Sequence, residues 1–475
     1  MTENAVLLQA GPHGPGLGRR RRDGAGEWRE RLGALFPEAA VPGGAGAAGP
    51  RPGRRTVTAA VQVAAVCAGA VVLLLRVGGV PAWDGTYAED NGVFLVDGLI
   101  RPWHLFVPYN GYLELGPRAI GQLVASFLPI VDASVAYAII GALIGAATAL
   151  FIYHASEGYV RAPWARATLG AALLLLPIAP IDIIDSGVDS PWYAMAALFF
   201  AVLWRPRSPA GMAAAALIAC YATSSEIVAF IYAPLLLVRL LALPRVREHA
   251  VTAGWLLGLA LQVPVVALSY VQHKQRLGAL ATPGQALAFY CHNVILRALG
   301  WHLSVWLQSA AGYNGATVIV GAVIAAALGL AIVTGDRAVR LFTVVALLTG
   351  FVQTVFDATV SQYLIYQTPT ANFMPAARYS TLPILLIAAS GIVAVDSYIR
   401  RRGARPLVAL GVLACLLGFG WVTDFRYASQ RAHDGHWLPY AQGLVAACTQ
   451  DPAGDVTINA WGGHHYTVPC TRIRR

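Results

Sequence analysis

The chain has 475 residues, of which 57% are hydrophobic and only 12% charged, and its mean hydropathy is +0.58. A soluble fold of that composition would lack polar surface, so the sequence predicts an all-α, polytopic integral membrane protein. The net charge of +10 does not mark a nucleic-acid surface, because the arginines gather in residues 1–55 and in short connections between apolar runs; that is the positive-inside pattern.

Residues 1–55 are dense in Gly, Pro and Arg, with Pro42-Gly43-Gly44-Ala45-Gly46 as one run. Such a segment buries too little apolar surface to offset chain entropy and reads as a disordered basic cytoplasmic tail. Arg19, Arg20, Arg21 and Arg22 read as a topology signal that also suits anionic lipid. The charged stretch is too long to precede a secretory signal's apolar core. Lys274 is the only lysine, and the wealth of Ala, Gly and Arg suits a GC-rich bacterial genome.

About eleven apolar runs follow, each near the length needed to cross ~30 Å of hydrocarbon, some of them short. They lie near residues 57–75, 134–154, 167–181, 191–204, 210–222, 227–241, 251–271, 316–334, 339–356, 381–395 and 407–422. An alternating path puts Arg161 and Arg166, Arg205 and Arg207, Arg245 and Arg247, Arg337 and Arg340, and the group Arg400, Arg401, Arg402 and Arg405 on the side of the N-terminus. The other connections are longer, more acidic and more aromatic, so the expected orientation is N-terminus cytoplasmic and C-terminus outside. The expected division is a tail over 1–55, a transmembrane domain over 56–422 and a short extracytoplasmic tail over 423–475.

Cysteines fit that path. Cys67, Cys220 and Cys415 lie in apolar runs, where a thiol is a small apolar group. Cys448 and Cys470 lie in the outside tail, where a disulfide closing their loop would contribute roughly 3 kcal/mol; Cys291 in another outside loop is the competing partner.

The first outside loop holds the densest chemistry. It begins Trp83-Asp84-Gly85-Thr86-Tyr87-Ala88-Glu89-Asp90 and continues through Asp97, Arg101, Trp103 and His104 to Pro108-Tyr109-Asn110-Gly111-Tyr112 and Pro117-Arg118. Residues 113–128 read as an interfacial helix lying on the bilayer. The aromatics suit a membrane-interface belt, and an acidic pair also suits a helix N-terminus. Together, the pair Glu89-Asp90, the Pro-Tyr-Asn-Gly-Tyr segment, Pro117-Arg118 and the long first loop resemble the GT-C superfamily of membrane glycosyltransferases, and the topological likeness runs from Val57 to the end.

That resemblance implies a polyprenyl-phosphate-linked sugar as donor and Glu89 or Asp90 as the catalytic carboxylate. The chemistry agrees, since an acceptor hydroxyl must give up its proton as its oxygen bonds the anomeric carbon. A divalent metal held by the same pair is compatible with the superfamily, and the sequence leaves that open. Asp84, Tyr109, Tyr112 and Arg118 are candidate substrate contacts in the same loop.

A phosphate leaving group needs fixed positive charge. Lys274 and Arg276, then His292, Arg297 and His302 in an apolar stretch read as re-entrant or interfacial, and Arg378 with Tyr379, are the candidates on the outside face; each also suits snorkelling to lipid phosphate. Asp182, Asp185 and Asp189 share that face and are candidate contacts for acceptor or cation, Asp189 being a candidate substrate contact that also suits capping of the next helix, whereas Glu226 reads as a helix start rather than a site. His433, His436, His464 and His465 show no metal-ligand spacing. There is no Walker loop, dinucleotide fingerprint or CxxC pair, so nothing points to ATP hydrolysis.

The expected function is therefore transfer of a sugar from a polyprenyl phosphate to an envelope glycan, lipid or protein on the outer face of the cytoplasmic membrane. The alternatives are a transporter or lipid-linked-sugar flippase, which would show repeats and midplane charge, and an envelope polymerase or ligase dependent on residues 274–297.

Overall fold

The structure, a computed structural model, describes residues 24–38, 52–86, 89–179, 183–184, 186–273, 282–360, 377–402, 407–428, 435–460 and 464–473. Arg19 to Arg22, Tyr87, Asp182, Asp185, Lys274, Arg276 and His433 lie outside the described residues. Helix α1 covers Gly24–Gly33, α2 Pro52–Leu74, α3 Val96–Ile100, α4 Leu115–Phe127, α5 Ala133–Ala155, α6 Pro163–Leu174, α7 Ser190–Leu203 and α8 Pro209–Ser225. Then come α9 Ala233–Ala242, α10 Ala250–His273, α11 Pro283–Phe289, α12 Trp301–Thr334, α13 Arg337–Val360, α14 Arg378–Arg402, α15 Leu407–Thr423 and α16 Trp437–Gln450. Strands β1 Val77–Gly78 and β2 Tyr427–Ala428 pair in parallel, and β3 Asp455–Ala460 and β4 His464–Pro469 form an antiparallel hairpin.

Each apolar run of the sequence overlaps one of these helices. Six stretches are long and apolar enough to cross a membrane: Thr56–Leu74, Ile130–Gly158, Val246–Ser269, Trp301–Thr334, Arg337–Thr359 and Arg378–Arg400. The helices α6, α7, α8, α9 and α15 are shorter. α7 is buried along all 14 residues, as expected of a helix that is apolar all round.

Small residues let these helices approach closely, which is how membrane bundles gain packing without a hydrophobic drive between helices. On α5, Ala138, Ala142, Ala146 and Ala149 are buried, and Gly145 lies against Leu73 of α2 and Tyr193 of α7. Gly254 of α10 sits on the Ala216 backbone of α8, where any side chain would collide.

Side-chain bonds gather the connections at two ends. At the arginine-rich end the amides of Arg161 and Ala162 donate to Asp396 at 3.0 and 3.1 Å, and Arg205 meets Glu248 at 2.5 Å. At the other end the first loop meets residues 186–190, 225–226 and 378–379.

Part of the N-terminal segment expected to be disordered is folded. α1 leads into Phe36, which is fully buried under the Arg239 guanidinium, while Arg205 pairs with Glu38 at 2.7 Å and Tyr159 donates to the Leu35 carbonyl. The reason is a local apolar patch, Leu32 to Pro37, which Gly- and Arg-rich neighbours hide in the composition.

The C-terminal segment is likewise more than a tail. α16 presents Trp437, Ala441, Leu444 and Cys448 at helical spacing, and the hairpin adds Val456, Ile458 and Val468. These pack with Leu95, Val96, Leu99, Ile120 and Val124 of the first loop into a second core, and Trp437 Nε1 donates to the Ile130 carbonyl at 2.9 Å. A disulfide joins Cys448 and Cys470, and Cys291 is a free thiol.

Candidate functional site

The acidic pair begins a π-helical turn, Asp90–Leu95, that runs straight into α3. One residue of offset separates the two carboxylates completely. Asp90 turns inward, 1% exposed, and accepts from Ser186 Oγ at 3.0 Å, Gly187 N at 3.2 Å and Val188 N at 2.8 Å. Its charge anchors the segment leading into α7, and charge-assisted bonds of this kind are the strong ones. Glu89 stays half-buried, and among the described residues its buried Oε2 has no hydrogen-bond partner. The only donor near its other oxygen is the Tyr109 hydroxyl, 3.5 Å from Oε1 among the described residues.

Tyr109 is delivered by a tight turn. Asn110 and Gly111 both have positive φ, 50° and 87°, and Tyr109 and Tyr112 exchange backbone bonds at 2.8 and 3.1 Å. An Asn-Gly pair is what such a two-residue turn requires. The chain then dives into the bundle, where Gln262 of α10 clamps Leu113 on both backbone groups, at 2.7 and 3.1 Å, and Ser225 accepts from Gly116 N at 2.9 Å. This places Tyr112 and Glu114 inside, hydrogen-bonded to each other. Burial first, then the neighbouring Glu226 carboxylate, holds Glu114 well above the usual carboxylate range. Burial and the acids Glu89 and Glu114 push the Tyr109 hydroxyl up, so it remains a donor.

Glu226 closes the acidic side. It caps the turn after α8, accepting from Val228 N at 3.3 Å, and burial lifts it to about 7 against the pull of the Val228 bond and Arg378. The helix-start reading is thus right, but the group also belongs to the cluster.

Positive charge comes from the first residue of α14. Arg378 Nη1 lies 3.3 Å from Asp189 Oδ1, and its guanidinium sits 5.7 Å from the Tyr379 ring, which itself meets Trp192 edge-on at 5.1 Å. Arg378 acts electrostatically on both Glu114 and Glu226. Glu89, Tyr109, Tyr112, Asp189, Arg378 and Tyr379 therefore share one end of the bundle.

Other candidates from the sequence are engaged elsewhere. Asp84 accepts from Leu438 N at 2.9 Å and pairs with His436 at 2.6 Å, fastening α16 to the first loop. Arg118 pairs with Asp97 at 2.7 Å and lies 5.6 Å from the Phe94 ring, which braces α3 on α4. His302 bonds Asp424, whose carboxylate also receives the Trp301 amide and so starts α12. Arg297 is buried against the Trp301 ring at 4.1 Å, and His292 packs on Tyr313 at 4.3 Å.

Three residues escaped the sequence reading. Glu114 sat inside the helix read over residues 113–128 without a role, Gln353 was absorbed into the apolar run over 339–356, and Asp357 fell just past its end. The available signal was an acid inside a membrane-length helix, which is functional by default.

A metal held by the acidic pair does not fit this geometry, because both Asp90 oxygens already accept from Ser186, Gly187 and Val188. Among the described residues no group of three or more His, Cys, Asp or Glu is placed to hold an ion. An apolar cavity of about 570 Å³ opens between α12 and α13, lined by Tyr290, Ile324, Leu328, Leu347 and Phe351 among others.

No family model matches the sequence, and no curated protein does. A cryo-EM structure of the arabinofuranosyltransferase AftD from Mycobacteria is similar at a TM-score of 0.44 and 14% identity, covering 88% of this chain and 31% of that one. The chain thus spans under a third of the length of that structure.

Proposed function

We propose that the chain is a membrane glycosyltransferase that moves a sugar from a polyprenyl-phosphate donor to a hydroxyl of an envelope glycan, lipid or protein at the outer face of the cytoplasmic membrane. The carrying observation is Glu89: a carboxylate with a buried, unpartnered Oε2, beside a Tyr hydroxyl and at the same end of the bundle as the Asp189–Arg378 pair.

In this reading the acceptor O–H gives its proton to Glu89 while its oxygen bonds the anomeric carbon. The bond from that carbon to the phosphate oxygen breaks, and the polyprenyl phosphate leaves with the electron pair. Arg378 meets the charge that develops on phosphate, where a fixed guanidinium acts without reorganisation. Asp90 takes no part in the step; it holds the site's backbone. The apolar cavity supports the donor class: Phe351 on its wall lies about 9 Å along α13 from Asp357, so an isoprenoid chain could lie there with its phosphate near Arg378.

A transporter or flippase would need ionisable groups near the midplane. The buried acids Asp90, Glu114, Asp189, Glu226, Glu248, Asp357, Asp396 and Asp424 instead lie within about two turns of helix ends. The test is to delete the gene, profile envelope glycans by mass spectrometry and complement with Glu89→Gln. The proposal expects wild type to restore the missing glycan and the variant to fail at normal expression. Full restoration by Glu89→Gln would overturn it.

A further inference from the structure

One buried polar patch has no role in the step just described. α13 and α14 run antiparallel and approach closely where Gly350 meets Pro383, a Cβ on the glycine lying 3.1 Å from Pro383 Cα. From that contact Gln353 and Ser380 each lie three residues toward the site end, so they share a level. Gln353 Nε2 confirms the register, reaching the Tyr379 carbonyl at 3.5 Å, and it also donates to Asp357 Oδ2 at 3.2 Å, one turn farther along α13. Asp357 in turn faces Glu226.

These side chains are almost entirely buried: Gln353 is 0%, Asp357 1% and Ser380 1% exposed. Yet, among the described residues, Gln353 Oε1, Asp357 Oδ1 and Ser380 Oγ have no hydrogen-bond partner. Orphaned buried polar atoms are uncommon and destabilising, and three within two facing helix turns form a set that a ligand can satisfy. Gln353 Oε1 is an amide oxygen, which only accepts, so the ligand must bring at least one O–H or N–H donor. Ionised phosphate brings none and meets acid here. A divalent cation needs six or more oxygens, which the patch does not supply. A polyol fits, because each hydroxyl can donate to Gln353 or Asp357 and accept from Ser380.

We propose that Gln353, Asp357 and Ser380 bind the hydroxyl groups of the sugar being transferred and thereby select the donor. The inference rests on the glycosyltransferase reading and deepens it. Arg378 and Tyr379, adjacent in sequence to Ser380, would hold the donor phosphate beside the same patch.

The test uses the full chain in lipid nanodiscs with farnesyl-phosphoryl arabinofuranose, mannose and glucose, each with single-deoxy analogues. Wild type is expected to reject one deoxy analogue by at least about a hundredfold in kcat/KM, as sites built around a hydroxyl do. Asp357→Asn and Gln353→Leu are expected to raise donor KM about tenfold or more and to shrink that ratio, with kcat changed far less. Ser380→Ala, the smallest change, keeps the test open if either variant fails to accumulate. If Glu89→Gln abolishes transfer but all three patch variants keep wild-type donor ratios, the patch holds only water and the inference falls while the transferase reading stands. If wild type transfers from no donor, or Glu89→Gln transfers normally, both fall together.

Discussion

Asp396 and Glu248, at the arginine-rich end of the bundle, have every carboxylate oxygen bonded, whereas at the opposite end Glu89 and Asp357 each keep one buried oxygen without a partner among the described residues. Asp396 receives the amides of Arg161 and Ala162 and the Arg400 guanidinium; Glu248 receives Arg205 and the Arg245 amide. Saturated carboxylates of this kind fasten connections. On the proposed reading, spare acceptor capacity, rather than burial or charge alone, separates a working acid from a structural one. Asp90 makes the point within the site end itself, since it is saturated and sits one residue from Glu89.

The sharpest way to break this contrast is Glu89→Gln. Loss of a general base is worth about 10²–10⁴ in rate, so transfer should fall by that factor while the thermal midpoint in detergent holds, because Glu89 bonds little. A midpoint drop matching that of a structural acid would erase the distinction. Asp90→Asn is expected to do the reverse. One Asn oxygen cannot serve all three donors from residues 186–188, so roughly 2–4 kcal/mol of stability should go, and activity per folded molecule should follow only as far as the α7 segment shifts. A folded, inactive Asp90→Asn with an unchanged midpoint would return the catalytic role to Asp90.

Asp396→Asn tests the far end. It weakens two amide bonds and the Arg400 pair, with an expected loss of about 1–2 kcal/mol and kcat/KM unchanged. A selective activity loss there would show that the two ends are coupled rather than separate in duty.

How much of this was legible beforehand depends on what kind of information each part needs. Helix positions were legible because apolar runs and arginine-bearing connections are local patterns, and α4 and the Cys448–Cys470 bridge followed from spacing. The importance of the first loop was legible in Glu89-Asp90 and the Asn110-Gly111 turn. The division of labour between Glu89 and Asp90 was not, because it depends on the amides of residues 187 and 188 arriving from nearly a hundred residues away. Arg118 looked like a substrate contact and His302 like a phosphate contact for the same reason: their partners Asp97 and Asp424 are fixed only by packing. The folded unit at 435–473 was hidden because its core is shared with the first loop, so neither half looks self-sufficient. Asp357 was the avoidable miss, an acid directly after the apolar run over 339–356.

The smallest effect expected concerns Glu226, which is neither saturated nor idle. Burial raises it from an ordinary value of 4.5 to about 7, so between those values the folded chain holds a proton that the unfolded chain has released. Its contribution to stability is complete below about pH 4.5 and is lost as pH rises through about 7, above which both states are ionised and the slope ends. Glu226→Gln keeps the oxygen that caps Val228 but removes the titration. Wild type and variant should therefore melt alike near pH 4.5, and the variant should become the more stable of the two by pH 8. Melting curves across that window decide it: a difference that stays constant with pH would mean that Glu226 keeps its charge in the folded site through a closer hold on Arg378, and would place it among the saturated acids of the other end.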